Sequence, residues 1–364
     1  MHCSGASASA ERADGDPMRS LLLWSLIGVF VTALCPGPAR AQQSDMQWAL
    51  WRGAYVTAEG RVVDAPNGGI SHSEGQGYAM LLAVAHADPS TFARLWAWTR
   101  ANLQVREDGL LAWRWDPQRS GVTDRNNATD GDILVAWALL RAGMAWNDAG
   151  YRDESARLAQ STLDHASAEV AGRTVLLPGI QGFSLPDGGT VINLSYWVFP
   201  ALQDFKSAFG DDRWGRVLDS GLVLIDQAGA AGRPPPDWIA LHADGRLGPA
   251  PNQPDVVGYN AYRIPLYLLW AGFSGDPAIR RFHALWTDRT DGMPMVVDAV
   301  SGKVVERSLD TGYLGLPDLV SCILGASGFS DPPALRAAES YYPSTLLMLT
   351  RVVQRERYPT CAPL

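Results

Sequence analysis

The stretch SHSEGQGYAM, residues 71–80, sets one acid, Glu74, among small polar residues and a Gly-Gln-Gly step, just ahead of an apolar helical pattern. A carboxyl so placed has two readings. In the first turn of a helix it complements the positive end of the dipole as an anion. As a proton donor it needs burial or a neighbouring carboxylate to keep its proton near neutral pH. Gly75 and Gly77 favour the donor, since residues without Cβ let a substrate or a second backbone approach. A second acidic group, Asp130 and Asp132, lies in NNATDGDILVAWALL. Thr129 or Asp130 can cap the helix there. Residues two apart on a helix point in different directions, so at most one of the two aspartates shares a cavity with Glu74. The third site of interest is Arg263 in PDVVGYNAYRIPLYLLW. A cation near a helix start opposes the dipole, which predicts a carboxylate partner and an ionic cluster.

Elements that position these residues are mostly helical. Trp48, Trp51 and Tyr55 share one face, as do Tyr78, Leu81, Leu82 and Ala85. Asp88-Pro89 is a cap followed by proline at the first helical position, opening a stripe of Phe92, Leu95, Trp96, Thr99 and Leu103. The same period recurs through Ile133, Trp137, Leu140 and Met144, and through Trp214, Val217, Leu218, Leu222 and Ile225. Further helices are expected near 261–273, 277–288, 316–326, 333–339 and 344–355, about eleven or twelve in all by this periodicity. Long loops rich in Gly, Pro and Asp separate them, with strand-like pieces in GRTVLLPG and GMPMVVDAVSGKVV. No repeat at fixed period is visible, which disfavours a solenoid.

The chain has 364 residues, 47% hydrophobic and 19% charged, a globular balance. Its net charge of −8 and lack of any Lys/Arg run exclude a nucleic-acid partner. Among 14 Trp and 11 Tyr, most belong to a core, but a minority in loops suits a sugar, whose apolar ring faces stack on flat side chains. Residues 1–41 read as an export signal: Arg19, an apolar run from Leu21 to Leu34, then Ala39-Arg40-Ala41 as a small-x-small cleavage site. The run is short for a bilayer span, and none longer follows, so the expected product is a periplasmic or secreted protein without a membrane span, one domain over 42–364. Cys322 and Cys361 remain after cleavage and can pair in an oxidising compartment. No Cys/His cluster has metal-ligand spacing, and no cofactor is expected.

Five motifs come in a telling order: SEGQGYAM, ATDGDILVAWALL, PDW at Pro236 to Trp238, GYNAYRIP and YYPSTLLMLT. In this the chain resembles glycoside hydrolase family 8 over nearly all of its length past the export segment. The similarity is greatest to exported endoglucanases that accompany bacterial cellulose synthesis. The resemblance implies an all-α (α/α)6 barrel, six inner and six outer helices, with long loops forming a substrate cleft at one end. It implies hydrolysis of β-1,4-glucan with inversion at the anomeric carbon and, by analogy, a link to the cellulose-synthesis machinery. Glu74 matches the general acid, and Asp130 the aspartate that holds the distorted sugar. Trp113 in GLLAWRWD and Tyr196 in NLSYW match residues near the bound sugar, with Leu194 where the family carries proline. Tyr78, Asn260 and Arg263 fall within the shared motifs as expected substrate contacts.

One position departs from the pattern. Asn260 stands where cellulase-like members carry the aspartate that serves as general base. An amide cannot take a proton from water, and inversion requires a second carboxylate roughly 6.5–9.5 Å from the acid. Asp255, in the same loop, is the first candidate and Asp237 the second. The alternatives are that Asn260 still orients water in a slow enzyme, or that the protein binds glucan without cutting it. Chitosan or xylan in place of glucan is also open, since net acidity suits a cationic polymer.

Overall fold

The computed structural model describes residues 38–229, 232–326, 333–336 and 339–361. Most of the expected export segment, through residue 37, lies outside the described residues. Eleven α-helices are present among those described: α1 (Pro38–Tyr55), α2 (Ser73–Ala85), α3 (Pro89–Asn102), α4 (Thr129–Ala145), α5 (Ala149–His165), α6 (Phe199–Phe209), α7 (Asp212–Ala228), α8 (Arg263–Trp270), α9 (Pro277–Leu285), α10 (Gly315–Ile323) and α11 (Tyr341–Arg357). The helix expected at 333–339 is not seen, since residues 333–336 carry no regular structure.

Two kinds of helix alternate, and their sequences say why. Every residue of α8 is buried, and α4 is buried without a break from Thr129 to Leu140. Such all-round apolar helices lie inside. By contrast α7 buries one stripe, including Trp214, Val217, Leu224 and Ile225, and faces solvent with the rest. Helices α2, α4, α6, α8 and α11 pack in succession, and α11 returns to α2, so the inner layer closes on itself. Outside it, α3 packs on α2, α5 on α4, α7 on α6, α9 on α8, and α1 on α11.

The starts of the helices differ in the same way. Asp88, Asp148, Asp211 and Asp276 cap α3, α5, α7 and α9, each accepting a backbone N–H through its carboxylate. Pro89, as expected from the sequence, and Pro277 follow two of them. No acidic side chain caps α2, α4, α6, α8, α10 or α11. Those helix starts carry or adjoin the residues of the site instead.

Among the described residues the loops between the helices hold eleven short strands, more than the two strand-like stretches expected from the sequence. They are β1 (Ser71–His72), β2 (Arg114–Asp116), β3 (Gly121–Asp124), β4 (Ser167–Val170), β5 (Arg173–Leu176), β6 (Thr190–Ile192), β7 (Ile239–Leu241), β8 (Leu247–Pro249), β9 (Val256–Val257), β10 (Met293–Asp298) and β11 (Val304–Ser308). They form antiparallel sheets β1-β2-β3, β4-β5, β6-β7-β8 and β9-β10-β11. Both strand-like sequences, GRTVLLPG and GMPMVVDAVSGKVV, take part. Of the 14 tryptophans, Trp48, Trp51, Trp96, Trp137, Trp197, Trp214, Trp270 and Trp286 are core residues. A disulfide joins Cys322 at the end of α10 to Cys361. No described helix is long and apolar enough to cross a membrane.

Candidate active site

Glu74 sits in the first turn of α2 and Asp130 in the first turn of α4, and glycines bring the two helices together. A Cβ on Gly131 would lie 2.0 Å from Ser73 Oγ and 2.9 Å from Glu74 N. A Cβ on Gly77 would lie 2.6 Å from Leu134 Cβ, and one on Gly75 2.8 Å from the Tyr341 hydroxyl. Of the two approaches that the glycines flanking Glu74 allow, the structure shows that of a second backbone, with Val135 N 3.1 Å from a Cβ placed on Gly77. Neither Thr129 nor Asp130 caps α4: Thr129 Oγ1 donates to Leu177 O, and Asp130 Oδ1 accepts from Gly131 N at 2.8 Å.

Arg263, the first residue of α8, is buried at the centre of the site. Its Nη1 donates to Glu74 Oε1 and to Asp130 Oδ2, the latter at 2.9 Å. Its Nη2 donates to Ser195 Oγ and Asn260 Oδ1, both at 2.8 Å. One guanidinium thus serves two carboxylates and fixes the amide of Asn260. Burial pushes the Asp130 carboxyl up to about 7, and the hydrogen bond from Gly131 N opposes that rise. With one proton between Glu74 and Asp130, the three charged groups sum to zero, the least costly arrangement away from water.

The hydrogen bonds show where that proton can face the groove. Glu74 Oε1 is held by Arg263 and by the Tyr78 hydroxyl at 3.0 Å. Among the described residues no hydrogen bond reaches Oε2, and His72 Nδ1 lies 3.7 Å from it, beyond hydrogen-bonding reach. His72 Nδ1 accepts instead from Gly75 N at 3.0 Å, so the ring proton of neutral His72 belongs on Nε2, 3.5 Å from Asp64 Oδ2. Oε2 is the oxygen left to carry a proton to a ligand.

Two cavities, of about 530 and 510 Å³, flank this acid. Asn67, His72, Glu74, Asn260 and Arg263 line both, so Glu74 stands at their junction. The first lobe adds Trp113, Asp130 and Tyr196; the second adds Tyr259, Asp310, Tyr313 and Tyr342. Trp113 is a prepared platform: its indole donates to Asp124 Oδ2 at 2.8 Å, and its carbonyl accepts from Ser73 N at 3.0 Å. Beyond Tyr196, Trp238 and Phe183 continue an aromatic row, their rings stacked 6.0 Å apart.

Other expected site residues are placed elsewhere. Asp132 is fully buried and accepts from Leu111 N at 2.8 Å and Asn127 Nδ2 at 2.9 Å, so it secures loops and leaves the groove to Asp130. Tyr78 is also fully buried; its hydroxyl, 2.7 Å from that of Tyr267, lies behind Glu74 and supports the acid without lining either lobe. Asp255 is not brought to Glu74. Strand β9 pairs with β10, Ala299 N donates to Asp255 O, and the side chain lines a separate cavity with Arg233, Pro236 and Ala299. Asp237 is buried and accepts from Gly258 N and Ala261 N at 2.7 and 2.9 Å, shaping the turn that presents Asn260. Sequence reasoning passed over His72, Asp64, Tyr259, Asp310, Tyr313 and Tyr342. Tyr342 lay inside a quoted motif, whereas Asp310 follows a strand in a loop with no pattern to mark it. Among the described residues no cluster of acids, histidines or cysteines suits a metal ion.

Comparison with known proteins agrees with this architecture. The model for "Glycosyl hydrolases family 8" matches residues 24–356. A probable endoglucanase of Novacetimonas hansenii is 36% identical over 326 residues, 88% of this chain and 93% of the relative. An endoglucanase of Cellulomonas uda is 40% identical over 250 residues, 68% of this chain and 69% of the relative. The solved structure of an endo-β-1,4-glucanase from Acetobacter xylinum superposes with a TM-score of 0.79 at 34% identity, covering 87% of this chain and 99% of that one. The chain is a glycoside hydrolase and belongs to family 8.

Proposed function

We propose that the protein is an endo-β-1,4-glucanase that hydrolyses glucan with inversion. The observation that carries this reading is Glu74 at the junction of two open lobes, one carboxyl oxygen held by Arg263 and Tyr78 and the other free. A polymer lying across both lobes places an internal linkage at that oxygen, which protonates the departing glycosidic oxygen. Asp130, fixed by Arg263, accepts a hydrogen bond from the sugar and favours its distorted form. Trp113 and Tyr196 stack sugar rings in the first lobe. Asn260 is held by Arg263 and orients the groups on the opposite side.

The closed layer of inner helices, with the outer ones packed on it, supports an (α/α)6 barrel whose inner helix starts face the groove. Export to the periplasm or beyond is part of the proposal; the apolar run 21–34 and the Cys322–Cys361 disulfide support it. The relatives' names include an endo-β-1,4-glucanase of Acetobacter xylinum, which supports glucan over chitosan or xylan.

Reducing ends released from carboxymethyl-cellulose test the assignment. The wild type should release them, and the first product should be the α-anomer by proton NMR. Glu74→Gln should lose about 10²–10⁴-fold in kcat while still binding cello-oligosaccharides. Binding without release by the wild type would make this a glucan-holding protein.

A further inference from the structure

Asn260 leaves the water opposite Glu74 without its usual proton acceptor, and four acids line the two lobes: Asp64, Glu74, Asp130 and Asp310. Three are engaged. Glu74 and Asp130 share Arg263. Asp64 is buried, accepts from Asn67 Nδ2 at 2.5 Å and faces His72 Nε2 at 3.5 Å. Nearby Glu306 accepts the Tyr259 hydroxyl, and Asp237 is taken up by backbone N–H groups behind Asn260.

Asp310 differs from all of these. It occupies the position before a short 3₁₀ turn, Thr311–Leu314, where aspartate usually caps, yet its side chain makes no capping bond. Glu339 Oε1 accepts the Thr311 N–H in its place, at 3.2 Å. The Asp310 backbone is secured on both sides, its N–H by Ser308 Oγ at 3.2 Å and its carbonyl by Tyr313 N at 3.3 Å. Among the described residues no hydrogen bond or ion pair holds its carboxylate. That half-buried group lines the lobe it shares with Glu74, Asn260, Tyr313 and Tyr342.

We infer that Asp310 is the general base, replacing the carboxylate that Asn260 lacks; the inference rests on the inverting glucanase reading above. Water attacks the anomeric carbon from the side away from the leaving group, and its proton passes to Asp310. The bond to the glycosidic oxygen breaks, the electron pair goes to that oxygen, and Glu74 protonates it. Glu74 ends ionised and Asp310 protonated, and solvent restores both. Asn260, with Oδ1 on Arg263, contributes its amide as a fixed dipole beside the water path.

The test uses the full chain as wild type, Asp310→Ala, Asp310→Asn and Glu74→Gln. The substrates are carboxymethyl-cellulose and a β-cellotrioside with a 2,4-dinitrophenolate leaving group, which needs no acid. Both Asp310 variants should fall about 10²–10⁴-fold on both substrates. Glu74→Gln should regain activity on the activated one. Sodium azide should restore Asp310→Ala turnover by attacking the same carbon, giving the α-glycosyl azide. Asp310 variants within threefold of an active wild type would overturn the role. So would a loss that azide does not rescue and that removes cello-oligosaccharide binding as well. An inactive wild type would instead bring down the glucanase reading itself.

Discussion

Arg263 Nη1 lies 2.9 Å from Asp130 Oδ2, and both side chains are almost wholly withdrawn from water. The same nitrogen donates to Glu74, so this ion pair also sets the electrostatics of the acid. Arg263→Lys cannot reproduce the fork, because a single ammonium does not reach Glu74, Asp130, Ser195 and Asn260 together. Breaking a buried pair of this kind costs about 3–5 kcal/mol of stability. We expect Arg263→Lys to lower kcat at least about 10²-fold, the scale of one lost electrostatic contact in an active site. Steady-state kinetics and urea unfolding of the purified variant measure both.

Gly131→Ala places a methyl group against Ser73 and the Glu74 backbone. Overpacking should cost about 1–3 kcal/mol and shift the first turn of α2, so kcat falls along with the melting temperature. Gly53→Ala on α1 is the control, since nothing lies within 4 Å of its added Cβ. That variant should match or slightly exceed the wild type in stability, with unchanged kcat.

Asp132 predicts a pH dependence of folding. Burial pushes its carboxyl from 3.8 up to about 7. The folded state therefore binds a proton more readily than the unfolded chain. Its contribution to stability is complete below about pH 4 and is lost as pH rises through about 7. Asp132→Asn removes this titration while leaving an oxygen to accept the Leu111 N–H. Urea unfolding between pH 5 and 8 should show a smaller fall in stability for the variant than for the wild type.

The Cys322–Cys361 bridge closes a separation of 39 residues. A loop of that size constrains the unfolded chain by about 3–4 kcal/mol. Replacing both cysteines by alanine should lower stability on that scale and leave kcat at low temperature intact, because neither residue lines the groove. Calorimetry with and without reductant tests this: reductant should shift the wild type and not the double variant.

What could be read in advance follows from how far apart the partners lie. Helix periodicity and the Asp88-Pro89 start depend on neighbours within one turn, and α3 and α9 begin at the residues expected, 89 and 277. The two aspartates of TDGD diverge, as helical geometry requires. The glycines around Glu74 announce a close approach but not its identity, because what approaches, Leu134 and Tyr341, is remote in the chain. Asp255 misled for a related reason: nearness to Asn260 in sequence is undone when β9 joins β10. Asp310 reaches the groove only through the packing of a distant loop, and no local pattern announces it.

Gln76, wholly buried two residues past the acid on the same helix, accepts from Val62 N at 2.6 Å and donates to Gly60 O at 3.1 Å and Thr99 Oγ1 at 2.8 Å. The rim segment that bears Asn67 and Ile70 is thereby moored to the very rod that holds the proton donor. Rim and donor must soften as one body, so warming should extinguish turnover when the whole molecule melts and not in an earlier, separate step.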